Sequence, residues 1–297
     1  MCKRVNVLVS TYNGEKYIRE QIDSVLKQSY NNIYIYIRDD GSTDNTRTIL
    51  KEYEMHGNVQ ILEGDNIGYG PSFLTLLAIA DEGDYWAFCD QDDVWLPDKI
   101  NFAVNWLKQQ DPSIPCLYHG SYYNTDENLE NRLLVKQPGY SYDFVRAITE
   151  CIHLGFSEVM NGALRKLVLR GNPDNLVTHD WWTELVVMKF GHVYYDDAAM
   201  TLHRRLQSSI SVNSMAARFA WLKRAWSGNA EIHSCTLEFE RIFGKDMNDR
   251  ESRINRWFCY DKYDFIKSVK KCFYWHRWRP TWSSELVVRM LMLMGKI

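Results

Sequence analysis

No C-x-x-C pair occurs among the seven cysteines, which fall singly at positions 2, 89, 116, 151, 235, 259 and 272. That spacing excludes a zinc knuckle and a thioredoxin-type redox site. An odd, unpatterned set also suits a reducing cytosol better than a disulfide-stapled secreted domain. The N-terminus, MCKRVNVLVS, has no charged lead, long apolar region and cleavage site, so a secretory leader is not expected. No uninterrupted apolar run approaches the ~20 residues of a bilayer-spanning helix. Neither G-x-x-x-x-G-K-[ST] nor G-x-G-x-x-G follows the first strand-like segment, which argues against a P-loop nucleotide hydrolase and a nicotinamide dehydrogenase. Internal repeats and low-complexity segments are also missing. These absences leave an ordinary globular chain of the cytosol.

Its 297 residues suffice for one large domain or two modest ones, with 45% hydrophobic and 25% charged residues. The net charge of −3 hides an asymmetry. Residues 201–297 hold 18 Lys/Arg and 9 Asp/Glu, whereas residues 1–200 hold 17 and 29. An acidic front and a basic tail point to two tasks on one chain.

Val5–Val9 reads as a strand buried on both faces. Ile18, Ile22, Val25 and Leu26 then recur at helical spacing. Ile33–Ile37, Val59–Leu62 and Asp84–Cys89 read as further strands, with helices expected over Asp44–Tyr53, from Pro71, and over Pro97–Lys108. Strands alternating with helices imply an α/β fold with a mostly parallel sheet covered on both faces, and ligands bind beyond the carboxyl ends of such strands. STYNG, RDDGSTD and CDQDD all fall at that edge. From about residue 111 the alternation weakens, NGALRKLVLRG and THDWWTELVVMKFG reading as helices between loops. Beyond 215 the chain reads as helical.

Asp90, Asp92 and Asp93 follow an aromatic-rich apolar run. Like charges this close repel, and burial raises their cost. A solvated loop is one reading of the triplet. A calcium loop is excluded, since Trp95 stands where the sixth position needs Gly. A hard divalent cation, Mg²⁺ or Mn²⁺, would make the cluster tolerable, and Asp-x-Asp at a strand end can anchor a diphosphate-bound metal. In RDDGSTDNT a turn and helix cap account for Gly41, Ser42 and Asp44 but leave the Asp39–Asp40 doublet unexplained. A carboxylate there can accept from a pyrimidine N–H or a ribose hydroxyl.

VNVLVSTYNGEKYIREQIDSVLKQSY, IRDDGSTDNT, DNIGYGPSF and FCDQDDVWLPDKI together resemble the family 2 glycosyltransferases, whose fold is GT-A. The resemblance is dense over residues 4–100 and continues through THDWW, about two-thirds of the chain. CDQDDVW with HDWW is similar to bacterial rhamnosyltransferases of cell-surface polysaccharide assembly. The resemblance implies roles by position. Thr11 and Tyr12 would border the nucleotide base, and Asp39 or Asp40 would bind base or ribose. Asp90 would face the ribose or a water beyond the metal's own ligands. Asp92 would hold the metal, with Asp93 supporting it. Asp180 matches the family's general base, although it can also be read as a helix cap. Trp181 and Trp182 read as core, or one as a stacking surface for an acceptor sugar.

One motif departs. Relatives often carry Y-R-x-H-x-x-N where this chain reads HRRLQSS. Arg204 fits and His203 takes the Tyr position, but Leu206 replaces the His and Ser209 the Asn. Arg204 and Arg205 can hold phosphate through forked donors. The basic, Trp-rich tail reads either as a helical appendage packed on the catalytic domain or as an attachment to an anionic membrane surface. Nucleic acid is not an expected partner, for want of a recognition motif.

The expectation is a GT-A catalytic domain over residues 1–214 and a helical basic extension over 215–297. Within the first, residues 1–110 form a nucleotide-binding half and 111–214 an acceptor half. Its activity would be metal-dependent, inverting transfer of a sugar, rhamnose from dTDP-rhamnose by the closer resemblance, to a saccharide or lipid-linked saccharide. The work would be done in the cytosol, peripherally at the inner face of the plasma membrane. An inactive sugar-nucleotide binding module and a nucleotidyltransferase are the alternatives. The latter usually has a Gly-rich basic loop that STYNGEKYI does not provide.

Overall fold

A computed structural model describes residues 2–136, 142–205, 230–259, 263–279 and 281–297. Four parallel strands, β1 (Val5–Thr11), β2 (Ile33–Asp40), β3 (Val59–Gly64) and β4 (Tyr85–Asp90), form one half of a nine-stranded sheet. The other half holds β5 (Val94–Trp95), β6 (Cys116–Thr125), β7 (Leu133–Val135), β8 (Glu158–Asn161) and β9 (His192–Arg204). The strand order is β3-β2-β1-β4-β8-β6-β9-β5, with β7 beside β6. β8 runs antiparallel to both β4 and β6, whereas β6 and β9 are parallel.

Both faces of the parallel half are covered, as its near-continuous apolar strands require. Val5, Val7 and Val9 point to one face with Ile35 and Ile37, where α1 (Ile18–Leu26) and α4 (Lys99–Leu107) supply Ile22, Val25, Ile100 and Val104. Leu8, Trp86 and Phe88 point to the other, against Phe73 and Leu77 of α3 (Tyr69–Ile79) and Trp182 and Leu185 of α7 (His179–Phe190). Burying each such side chain contributes roughly 1.5–3 kcal/mol. The remaining helices before α7 are short: α2 (Thr46–Lys51), α5 (Phe144–Ala147) and α6 (Gly162–Val168).

Four C-terminal helices follow among the described residues: α8 (Ala230–Phe243), α9 (Asp249–Phe258), α10 (Phe265–Cys272) and α11 (Trp282–Leu293). Phe239 and Phe243 of α8 meet the Trp182 ring at 5.9 and 6.1 Å. Trp278, Val288 and Met292 lie in the same core as Trp182, so these helices share the interior of the sheet-and-helix body. The boundary expected at residue 215 lies outside the described residues, as do Leu206 and Ser209.

The second half is more strand-rich than its sequence pattern. β9 is a 13-residue strand whose alternation is blurred by Asp196 and Asp197 and by a register shift opposite Gly120 and Ser121. Helix α2 starts at Thr46 rather than Asp44, because the Asp44 carboxylate accepts from the Thr46 N–H at 3.0 Å and its hydroxyl at 2.5 Å.

Candidate active site

The parallel register brings the carboxyl ends of three strands level. Thr11 lies opposite Asp39, and Ser10 opposite both Arg38 and Asp90. Loops leaving these ends are tied to each other. Asn13, at φ 48°, accepts from the Thr43 N–H at 2.9 Å and donates its own N–H to Ser42 Oγ at 2.9 Å. Gln91 clasps the first loop from the other side. Its Oε1 accepts from Thr11 Oγ1 at 2.6 Å and from the Tyr12 N–H at 2.9 Å, while its Nε2 donates to the Tyr12 carbonyl at 3.2 Å. Gly14 permits this clasp, since a Cβ there would strike Gln91 and Thr11. Tyr12 itself is exposed.

Strand alternation separates the acidic doublet. Asp40 is structural: its oxygens accept from the Ile67 and Gly68 N–H groups at 3.0 and 2.9 Å and from Arg38. It thereby fixes the loop that opens α3. Asp39 is fully buried and accepts from the Ser42 N–H at 3.1 Å and Arg47 Nε at 2.7 Å, both through Oδ2. Its Oδ1 is buried with no partner among the described residues. A buried acceptor without a donor costs about 1–3 kcal/mol, so a ligand N–H there would be strongly favoured.

The second cluster gathers at the end of β4. Burial pushes the Asp90 carboxyl well above the usual range, and the charges of Asp93, Asp92 and Asp180 push it further. Burial and Asp93 push Asp92 up to about 6, opposed by His203 and Arg204. Asp93 is fully buried and bonded through Oδ1 to His203 Nδ1 at 2.8 Å; among the described residues Asp93 Oδ2 and His203 Nε2 have no partner. Phe156 stacks on the His203 ring at 4.4 Å and fixes its plane. Arg204 donates to the Asp92 backbone carbonyl at 2.9 Å and the Glu127 carbonyl at 3.0 Å, and pairs with Glu20. It therefore braces the acidic loop from behind. Arg205 Nε donates to Asn124 Oδ1 at 2.9 Å.

Asp180 enters from α7. Thr178 is the cap residue, so Asp180 occupies the first turn and accepts from the Trp181 N–H at 2.8 Å. Burial raises its carboxyl, and the N–H groups of Trp181 and Gly155 oppose that rise. Two glycines seat this turn. A Cβ on Gly70 would collide with the Val177 carbonyl, and one on Gly155 with the His179 ring. His179 packs between Phe73 and Phe88 at 4.1 and 4.5 Å, and burial drops its pKa to about 3, so it stays neutral. Trp181 and Trp182 are core, their indoles donating to the Ala147 carbonyl at 2.7 Å and the Val168 carbonyl at 2.9 Å.

Residues that the motifs did not mark also gather here. Tyr69 lies near enough for Asp180 and Asp90 to raise its phenol, already raised by burial. Glu158 is fully buried with both oxygens unpartnered among the described residues, and burial, Asp180 and Glu184 push its carboxyl well up. Lys99 donates to the Phe156 carbonyl and Thr201 Oγ1, each at 2.9 Å. The aromatic neighbour of Gly70 was a legible clue to Tyr69; Glu158 carried none.

Unneutralised carboxylates backed by an unpartnered Asp93 oxygen fit a hard divalent cation. Among the described residues no three His, Cys, Asp or Glu side chains form a complete cage. Magnesium-type ions commonly take only one or two carboxylates and complete their shell with substrate phosphate and water.

Comparison with known proteins identifies the family and the fold. The family model described as Glycosyl transferase family 2 matches residues 6–170. A dTDP-rhamnosyl transferase, RfbG of Shigella flexneri, is 28% identical over 232 residues, covering 73% of this chain and 80% of its own. The glycosyltransferase GlyG of Streptococcus pneumoniae is 31% identical over 163 residues, 54% of this chain and 50% of its own. Among solved structures, S. aureus TarS 1–349 in complex with UDP superposes with a TM-score of 0.58 at 17% identity, over 86% of this chain and 69% of that one. A mannosyltransferase from Pyrobaculum calidifontis in complex with GDP-Man and Mn²⁺ gives 0.56 at 17%, over 100% and 87%. The chain belongs to glycosyl transferase family 2 and is a glycosyltransferase of GT-A fold.

Proposed function

We propose that this enzyme moves a sugar, with inversion and with a divalent metal, from a nucleotide-diphosphate donor to a saccharide or lipid-linked saccharide. The observation that carries the proposal is the convergence of Asp90, Asp92 and Asp93 with Asp180, which comes from a distant helix yet adds to the charge felt at Asp90. Rhamnose from dTDP-rhamnose is the proposed donor sugar, on the strength of the similarity to the Shigella rhamnosyl transferase. The product would serve cell-surface polysaccharide synthesis.

Asp39 Oδ1 accepts the base N–H, as its buried, unpartnered state favours. Thr11 and Tyr12, fixed by Gln91, border the base, and Asp90 faces the ribose. Asp92 would hold Mg²⁺ or Mn²⁺, supported by Asp93 and His203. Bound there, the cation would supply Lewis-acid stabilisation of the departing diphosphate. Arg205 lies at the same strand end, suited to phosphate oxygens. The acceptor hydroxyl attacks the anomeric carbon opposite the diphosphate. One C–O bond forms, the C–O bond to phosphate breaks, and the hydroxyl proton passes to Asp180. The N–H groups of Trp181 and Gly155 favour the ionised form of that carboxylate and offset part of its burial.

The test is turnover of dTDP-rhamnose and of UDP- and GDP-sugars by wild type, Asp92→Ala and Asp180→Asn, with Mn²⁺ or EDTA. Loss of a general base costs roughly 10²–10⁴-fold. Metal-independent activity surviving both substitutions would sink the mechanism.

A further inference from the structure

Helix α11 has two apolar sides. One buries Val288, Leu291 and Met292 in the protein core. The other leaves Trp282, Leu286, Met290 and Leu293 exposed, spaced four, four and three residues apart as one stripe demands. Phe265 and Ile266 of α10, and Phe273 and Trp275 after it, are also exposed, Phe273, Trp275 and Trp282 by 75–77%. Because the opposite faces are well buried, this is not a poorly packed core. Exposed apolar side chains gathered on two helices that pack together mark an interaction site.

The charge around it identifies the occupant. Residues 263–297 hold seven Lys/Arg against two Asp/Glu. Lys271 and Arg279 are buried and Arg289 pairs with Glu285, which leaves Lys267, Lys270, Arg277 and Lys296 at the surface, while both acids are engaged within the protein. Asp264 caps α10 by accepting from the Lys267 N–H at 3.1 Å. Glu285 accepts from the Arg279 N–H at 2.7 Å and Arg289 Nε at 2.6 Å. Lys270 remains exposed. Arg277 lies over the Trp282 ring at 4.5 Å and Arg250 over Trp275 at 5.3 Å, putting cations at the aromatic rim. Exposed Trp and Phe between basic residues match a headgroup layer over acyl chains, whereas protein interfaces deplete Lys. Among the described residues no helix is long and apolar enough to cross a membrane, so a face lying on the surface is the mode that fits.

The connection between α10 and α11 grips the segment that leads to Asp180. Arg146 donates to the Arg277 carbonyl at 3.3 Å, and Arg279 donates to Thr149 Oγ1 at 3.4 Å. A few residues on, the Ile152 and His153 N–H groups donate to Glu184 of α7 at 2.9 and 2.8 Å.

We infer that the exposed face of α10 and α11 seats the enzyme on an anionic lipid bilayer, holding the Asp180 side of the site near lipid-linked acceptors. The acceptor part of this inference rests on the proposed glycosyl transfer; the binding part does not. The experiment is flotation of the full chain with vesicles of phosphatidylcholine alone or mixed roughly 7:3 with phosphatidylglycerol, for wild type and Leu286→Glu/Met290→Glu. Trp275→Ser is the second variant should the first melt early by circular dichroism. Wild type should float with the anionic vesicles and lose binding in high salt, and either variant should bind at least about tenfold more weakly. Donor-sugar hydrolysis in solution should be unchanged, which separates loss of the surface from loss of the chemistry. Wild type that ignores anionic vesicles overturns the inference, as does a variant that binds equally well. It also fails if the substitutions only convert a dimer to a monomer in sedimentation velocity.

Discussion

Asp92→Asn should make the enzyme more stable while abolishing its response to metal. Without a cation, burial and Asp93 raise the Asp92 carboxyl from 3.8 to about 6. About two pH units at ~1.36 kcal/mol each put the cost of ionising it in the fold near 3 kcal/mol. The unfolded chain releases this proton near pH 4 and the folded chain near pH 6. Stability therefore falls as pH rises through that window and stays lower above it. Asparagine has no proton to lose, and it removes a like charge from beside Asp90 and Asp93. By calorimetry in EDTA at about pH 7.5, the variant should exceed wild type by up to about 3 kcal/mol, several degrees in Tm for a chain of this size. The two should converge below about pH 4. With Mn²⁺ and a nucleoside diphosphate at a thousandfold excess over Kd, wild type gains about 4.1 kcal/mol and the order reverses. A variant no more stable than wild type in EDTA at neutral pH would refute the reasoning, as would a wild type that gains nothing from the metal.

Asp39→Ala and Asp40→Ala should behave oppositely despite adjacency. The first should weaken nucleotide binding by roughly 10–100-fold in calorimetric titration. The second strands the buried Arg38 charge and should lower unfolding free energy by about 3–5 kcal/mol in urea melts; equal effects on both readouts would contradict their assignment. Glu158→Gln should change stability by less than about 1 kcal/mol, because burial and the nearby Asp180 and Glu184 charges already disfavour the ionised carboxyl. A loss of several kcal/mol in the same melts would show that it is ionised and paired.

Much of the first hundred residues was legible because parallel strands buried on both faces are written as unbroken apolar runs. Each here ends in a polar loop at the ligand-binding edge. The acid cluster was legible because carboxylates beside Phe88 and Cys89 make no sense in a core without a partner. The roles within RDD were not, since they depend on which face each residue takes once β2 is in register with β3. Asp39 and Asp40 look identical until Gly68 and Arg47 arrive on opposite sides. The Asp93–His203 bond spans 110 residues, and no local pattern foretells such a contact. Strand β9 was missed for a related reason. Its irregular pairing with β6 and its acidic pair erase the period-two signal.

The clasp made by Gln91 has a thermodynamic consequence. It sits between Asp90 and Asp92 yet holds the Tyr12 backbone through both ends of its amide. With the proposed cation at Asp92, loop ordering on binding would be transmitted to the rim where the base would lie, and the reverse would hold by linkage. Metal and nucleotide should each tighten the other's binding by one common factor. Replacing this glutamine with leucine should shrink that factor toward unity even where either ligand alone still binds.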